Sequence, residues 1–129
     1  MIDLLLDSNA LSRWADKDTK VLALLEAVRR AGGVVYVPTV CLVESLTGKP
    51  MDAALNQRLK GAVIVRLDEA IARLAARLRA EIGGEDAADP VVVATAHVMR
   101  ATIISVDTDD IEPLAGLVVP AVPVVDPRQ

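Results

Sequence analysis

Short apolar runs alternate with longer segments whose apolar side chains recur every three or four positions, the signature of buried strands alternating with amphipathic helices. Residues 2–6 predict a short strand buried on both faces and ending at Asp7, after which Ser8 or Asn9 can cap a helix running through Trp14. From Thr19 to Arg30 the residues Val21, Leu24, Leu25 and Val28 keep helical spacing, and Gly32-Gly33 stops that helix before a strand at Val34–Val37. Pro38-Thr39 opens the next helix with Thr39 as its N-cap, and Leu42, Val43 and Leu46 form an apolar face beside Glu44 until Gly48-Lys49-Pro50 breaks it.

Residues 52–60 predict a modest amphipathic helix and Ala62–Leu67 a third strand. Asp68 then caps a strong helix with Ile71, Leu74, Ala75, Leu78 and Ile82 inward, ended by Gly83-Gly84. The helix predicted over Asp86–Arg100 begins with acids, where the macrodipole favours negative charge, and continues with Val92, Val93, Ala96 and Met99. Thr102–Val106 reads as the fourth strand, Asp109–Ala115 as a short helix, and Leu117–Val125, interrupted by Pro120 and Pro123, as a frayed edge strand. The alternation predicts an α/β fold of three layers, α/β/α, around a mainly parallel central sheet joined by right-handed crossovers.

A length of 129 residues suits a single domain over 1–129. Hydrophobic residues make up 53% of the chain, yet charges or prolines interrupt every apolar stretch before it reaches membrane-spanning length. Met1-Ile2-Asp3 carries no cationic region before an apolar segment, so a cytoplasmic protein with no membrane association is expected. The lone Cys41 sits among apolar neighbours and is expected buried and inert, and the single His97 on a helix surface; together they supply too few ligands for an ordinary zinc site. Net charge is −4, which argues against a general nucleic-acid coat, and Arg73, Arg77 and Arg79 on one helix read first as a solvated face. With Trp14, Tyr36 and no Phe, a stacking platform for bases is excluded, so any bound nucleic acid would be gripped by its backbone.

Four carboxylates border apolar runs at widely separated positions: Asp7, Glu44, Asp89 and Asp107. Asp7 and Asp107 fall at carboxyl ends of predicted strands, the side on which open α/β sheets place ligands, and the helices carrying Glu44 and Asp89 can project their acids into the same crevice. Each alone would serve as a cap, but Asp86 with Asp89, and Asp107 with Asp109 and Asp110, exceed what capping requires. Gathered acids repel, so either their pKa values rise or a divalent cation neutralises them, and hard oxygen ligands in an open cleft suit Mg²⁺ or Mn²⁺. Several acid-based alternatives fail on missing residues. The last lysine is Lys60, too early for a receiver domain; Asp7-Ser8-Asn9 lacks the Asp-x-Asp of haloacid-dehalogenase-type phosphatases; Asp7 stands where a Toprim-like site wants Glu; and no Gly-rich phosphate loop with Lys occurs.

Taken in order, Leu6-Asp7-Ser8-Asn9-Ala10-Leu11, Val37–Glu44, Asp86-Ala87-Ala88-Asp89-Pro90 with the apolar run after it, and Thr102–Asp110 resemble the four acidic motifs of PIN-domain ribonucleases, in particular VapC-type toxins of bacterial toxin–antitoxin pairs. The resemblance spans Ile2 to about Leu117. It implies that Asp7, Glu44, Asp89 and Asp107 form a metal-binding quartet, with Asp86 or Asp110 peripheral and Asn9 orienting the acids. It further implies Mg²⁺- or Mn²⁺-dependent endonucleolytic cleavage of RNA, a small antitoxin whose C-terminal segment occupies the cleft, and homodimerisation. Trp14 and residues 51–59 can serve such contacts or the core equally well. Two departures stand out: Ser105-Val106-Asp107 lacks a hydroxyl directly before the final acid, and Pro90 replaces a small residue, which costs little in a first helical turn. Two other readings stay open, a non-catalytic PIN-fold module that binds protein or RNA, and a PIN nuclease acting in RNA processing.

Overall fold

In the computed structural model, which describes residues 2–129, five parallel strands lie in the order β3-β2-β1-β4-β5 and are flanked by helices. The three residues of β1 (Leu4–Leu6) are all buried, as a central strand covered on both faces demands. Leu4 and Leu5 pair with Val35 and Tyr36 of β2 (Val35–Pro38), and on the other side Leu4–Leu6 pair with Thr102–Ile104 of β4 (Thr102–Ile104). Outside these, β3 (Val63–Val65) joins β2, and β5 (Val124–Val125) joins β4. The edge segment pairs only at Val124–Val125 because Pro120 and Pro123 cannot donate to a ladder.

The helices are α1 (Ser8–Ala15), α2 (Thr19–Arg30), α3 (Thr39–Ser45), α4 (Ala53–Leu59), α5 (Glu69–Ile82), α6 (Ala88–Met99) and α7 (Thr108–Ala115), with a 3₁₀ turn at Pro50–Asp52. Among them α6 is the most deeply set: every residue from Pro90 to Ala96 is buried between β2, β4 and the neighbouring helices. Leu5, Leu6, Leu11, Leu25, Ile71, Ile103, Ile104 and Ile111 are the largest fully buried side chains. At Gly33 a Cβ would run into the Ile2 carbonyl and the Val28 side chain, so only glycine lets the chain turn from α2 into β2 this tightly. Gly83 closes α5 in the left-handed region, at φ 75°.

Local chemistry corrects the sequence reading at several points. The cap of α1 is Asp7 itself, not Ser8 or Asn9, and α3 is entered from Pro38, while the Thr39 hydroxyl accepts from the Leu67 amide. Val43 is 81% exposed, because Cys41 faces the core and two further residues turn the chain to the opposite side. Ile82 is exposed at the fraying end of α5, and Trp14 is buried, which assigns it to the core rather than to a contact surface. The sixth helix begins at Ala88, two residues after Asp86. Arg73 pairs with Glu69 on an exposed face of α5, a solvated face as expected. No helix among the described residues is long and apolar enough to cross a membrane.

Truncating Leu5 at the centre of the sheet removes contacts on both faces. Leu5→Ala is expected to cost about 2–5 kcal/mol, read as a lower urea midpoint at unchanged slope. A loss under about 1 kcal/mol would contradict the packing described.

Candidate active site

Strand β1 connects through α1 and α2 to β2 on one side, while β4 arrives on its other side, so the chain direction switches between β1 and β4. At such a switch point the carboxyl ends of the strands diverge and leave a crevice. Asp7 sits there, directly after β1, and is only 4% exposed. One of its oxygens, Oδ1, accepts from the Ala10 amide at 2.8 Å and caps α1; Oδ2 accepts from the Ser105 hydroxyl at 2.5 Å. The Ser105 Oγ in turn accepts from the Asp107 amide at 3.0 Å. A fully buried hydroxyl thus ties the last residue of the first strand segment to the loop that carries Asp107.

Burial pushes the Asp7 carboxyl above its ordinary range, opposed by the Ala10 and Ser105 hydrogen bonds and reinforced by the charges of Asp107 and Glu44. Asp89, half-buried in the first turn of α6, is pushed up to about 7, by burial first, then by the charge of Asp86 and the hydrogen bond shared with it, and further by Asp7 and Asp110. Cys41 is buried on α3, and its thiol is held well above its usual range by burial and then by Asp7, Glu44 and Asp89. That is an inert thiol, and it locates three acids around one helix. Glu44 and Asp107 are exposed, and the charge of each bears on Asp7.

Capping accounts for little of this. Asp107 precedes α7 but makes no side-chain capping bond; only its backbone carbonyl receives helical amides, those of Asp110 and Ile111. Glu44 lies inside α3, and Asp89 inside α6. Asp86 does cap: its oxygens accept from the Ala88 and Asp89 amides at 3.0 and 3.2 Å. The amide oxygen of Asn9 accepts from Arg13 Nε at 3.2 Å, and Ser105 is the side chain that holds Asp7. Sequence reading passed over Ser105, although a serine inside Ile103-Ile104-Ser105-Val106 is a polar atom in a run where burial demands a partner.

Asp107 and Glu44 thus bear on Asp7, and Asp7, Asp86 and Asp110 on Asp89, so Asp7 is the acid that links the two groups. Among the described residues no three His, Cys, Asp or Glu side chains are drawn together closely enough to clasp an ion. The donor set, carboxylates with excess negative charge and one buried member, fits a hard divalent cation and not zinc.

The PIN domain model matches residues 4–116, so the chain belongs to the PIN-domain family, a family of nucleases. Solved structures of similar fold include a toxin–antitoxin complex from Klebsiella pneumoniae, at 22% identity and TM-score 0.76 over 97% of this chain and 98% of that one. VapBC2 from Rickettsia felis, bound to a DNA fragment from its promoter, is 15% identical with TM-score 0.79 over 97% and 98% of the two chains. FitAcB from Neisseria gonorrhoeae is 24% identical with TM-score 0.69 over 98% and 99%. No curated protein sequence matches the chain.

The raised acids make the metal-free protein sensitive to base. Asp89 titrates near its ordinary 3.8 when unfolded and near 7 when folded, so the native state binds the extra proton and loses stability as pH rises between those values. In chelator, wild type is expected to melt at a lower temperature at about pH 8 than at about pH 5.5, and Asp89→Asn to remove most of the difference. A wild-type melting temperature that climbs over this interval, or an unchanged drop in the variant, would contradict the site's electrostatics.

Proposed function

We propose that this protein is a metal-dependent endoribonuclease, the toxin of a type II toxin–antitoxin pair. The observation that carries the reading is the junction at the switch point: buried Asp7 bridged by Ser105 to the loop of Asp107, with Glu44 and Asp89 in electrostatic reach and almost no carboxylate oxygen spent on capping. Membership of a nuclease family supports hydrolysis of phosphodiesters, and the likeness of the motifs to ribonucleases supports RNA as the substrate.

Asp7, Glu44, Asp89 and Asp107 would hold Mg²⁺ or Mn²⁺, which supplies an acidified water and neutralises charge on the leaving oxygen in an in-line displacement. The residues of the chain have separable tasks. Asp7, fixed by the Ala10 amide and the Ser105 hydroxyl, cannot swing away and sets the floor of the site. Asp107 and Glu44, both exposed, are free to turn inward toward a cation. Asp89, pushed up to about 7, must be deprotonated to serve as a ligand, so cation affinity should rise with pH.

The neighbouring folds come from toxin–antitoxin complexes, which supports a small protein partner seated over the cleft. Homodimerisation and a cytoplasmic location belong to the same reading, and Met51, 74% exposed in the 51–59 segment, suits a protein contact. The alternative, a non-catalytic PIN-fold module, draws on the open spacing of the acids. One assay separates the two. Purified wild type is expected to cut single-stranded and structured RNA with Mg²⁺ or Mn²⁺, chelator to stop it, and Asp107→Asn to reduce the rate roughly a hundredfold or more with its melting curve retained. Full activity in the variant, or cleavage that survives chelation, would sink the assignment.

A further inference from the structure

An acidic cleft in a chain of net charge −4 repels the polyanion it is meant to cut, so a cation must stand near the carboxylates to hold the substrate. Strand β5 runs parallel to β4, and the residues after it leave the sheet at the edge where Asp107 lies. There the buried Asp126 grips Arg128: its carboxylate accepts from the Arg128 amide at 2.9 Å, from Nε at 3.0 and 3.2 Å, and from Nη2 at 2.7 Å. Nη2 also reaches the Val106 carbonyl at 3.4 Å, one residue before Asp107, and Lys20 Nζ pins the Arg128 carbonyl at 2.8 Å. The guanidinium is held above its ordinary range by Asp126 first and by Asp107 as well, which sets it beside the cleft.

Two of the three guanidinium nitrogens are engaged, Nε by Asp126 and Nη2 by Asp126 and Val106. Nη1 makes no hydrogen bond among the described residues, and the side chain remains 53% exposed. An arginine whose fork is fixed by a buried carboxylate, with Nη1 free, is pre-organised for a phosphate oxygen and loses little entropy on binding one. Other cations nearby are differently employed. Arg13 spends Nε on Asn9 and Nη1 on Asp18, and Arg30 pairs with Glu26 at the end of α2, the edge of the sheet away from the acids.

We infer that Arg128 is a substrate-positioning residue of the acidic site, binding an RNA phosphate that flanks the one cleaved. The inference rests on the nuclease reading above and adds to it the group that offsets the site's repulsion. A purely structural clamp on Asp126 and Val106 would need Nε and Nη2 alone, so the two roles differ in what Nη1 does.

The test measures cleavage of a fluorescent single-stranded RNA with Mg²⁺ over about 50 to 200 mM NaCl for wild type, Arg128→Ala, Arg128→Lys and the control Arg30→Ala. Arg128→Ala is expected to raise KM roughly tenfold with kcat within about twofold, and to flatten the dependence of log KM on log salt by about 0.7, the share of one single-strand phosphate contact. Arg128→Lys keeps the charge, and should therefore keep the slope while recovering part of KM. Arg30→Ala should match wild type. Unchanged KM and slope in Arg128→Ala overturn the inference, as does an Arg30→Ala variant equal to it, or an Arg128→Lys variant with the slope of alanine. With active wild type, those results leave the nuclease reading standing; an inactive wild type overturns both.

Discussion

A carboxylate buried at the end of a central strand is costly unless hydrogen bonds and charge surround it, and Asp7 is such a group. Two donors meet it, the Ala10 amide at the start of α1 and the Ser105 hydroxyl from beyond β4. The first bond fixes where the chain turns from strand to helix. The second joins sequence positions 98 residues apart and fixes how the loop bearing Asp107 leaves the sheet. Those bonds lower the cost of the charge without cancelling it, because burial and the charges of Asp107 and Glu44 still drive the carboxyl upward. The remaining imbalance is what a bound cation would relieve on the proposed reading.

The parallel sheet supplies the rest of the geometry. Because all five strands run the same way, the residues that follow β1, β4 and β5 emerge at one edge: Asp7, then Ser105 and Asp107, then Asp126 and Arg128. Acid and base are laid out across that edge in strand order, with carboxylates toward the centre and the Asp126-held arginine at the margin. Two helices, α3 and α6, bring Glu44 and Asp89 toward the same crevice, and the elevated Cys41 thiol between them registers three of the acids at once.

Much of the architecture was legible because short chains of buried strand and strong helical periodicity leave few options. The β1, α2, α5 and α6 segments agree with the sequence pattern within a residue or two, and the four acids stand out in the sequence because each borders an apolar run. What escaped was side-chain detail. Asp7 outcompeted Ser8 and Asn9 as the cap because a carboxylate left at a strand end already faces the first helical amides, and Val43 went outward because Cys41 took the inward position. What the local pattern does not encode is long-range partnership: that Ser105 meets Asp7 and that Arg128, locally paired with Asp126, also reaches Val106 depends on the pairing of β4 with β1 and β5.

The central claim is that acids from four separate elements share one divalent ion, anchored by the Ser105-bound Asp7. Electron paramagnetic resonance of free Mn²⁺ tests it without reference to cleavage, by counting the ion bound to wild type and to Glu44→Gln, Asp89→Asn and Asp107→Asn at about pH 8. Saturable wild-type binding, weakened roughly tenfold or more in each variant, is the predicted result. Mn²⁺ that binds all four proteins equally, or none of them up to about millimolar concentration, would contradict the account.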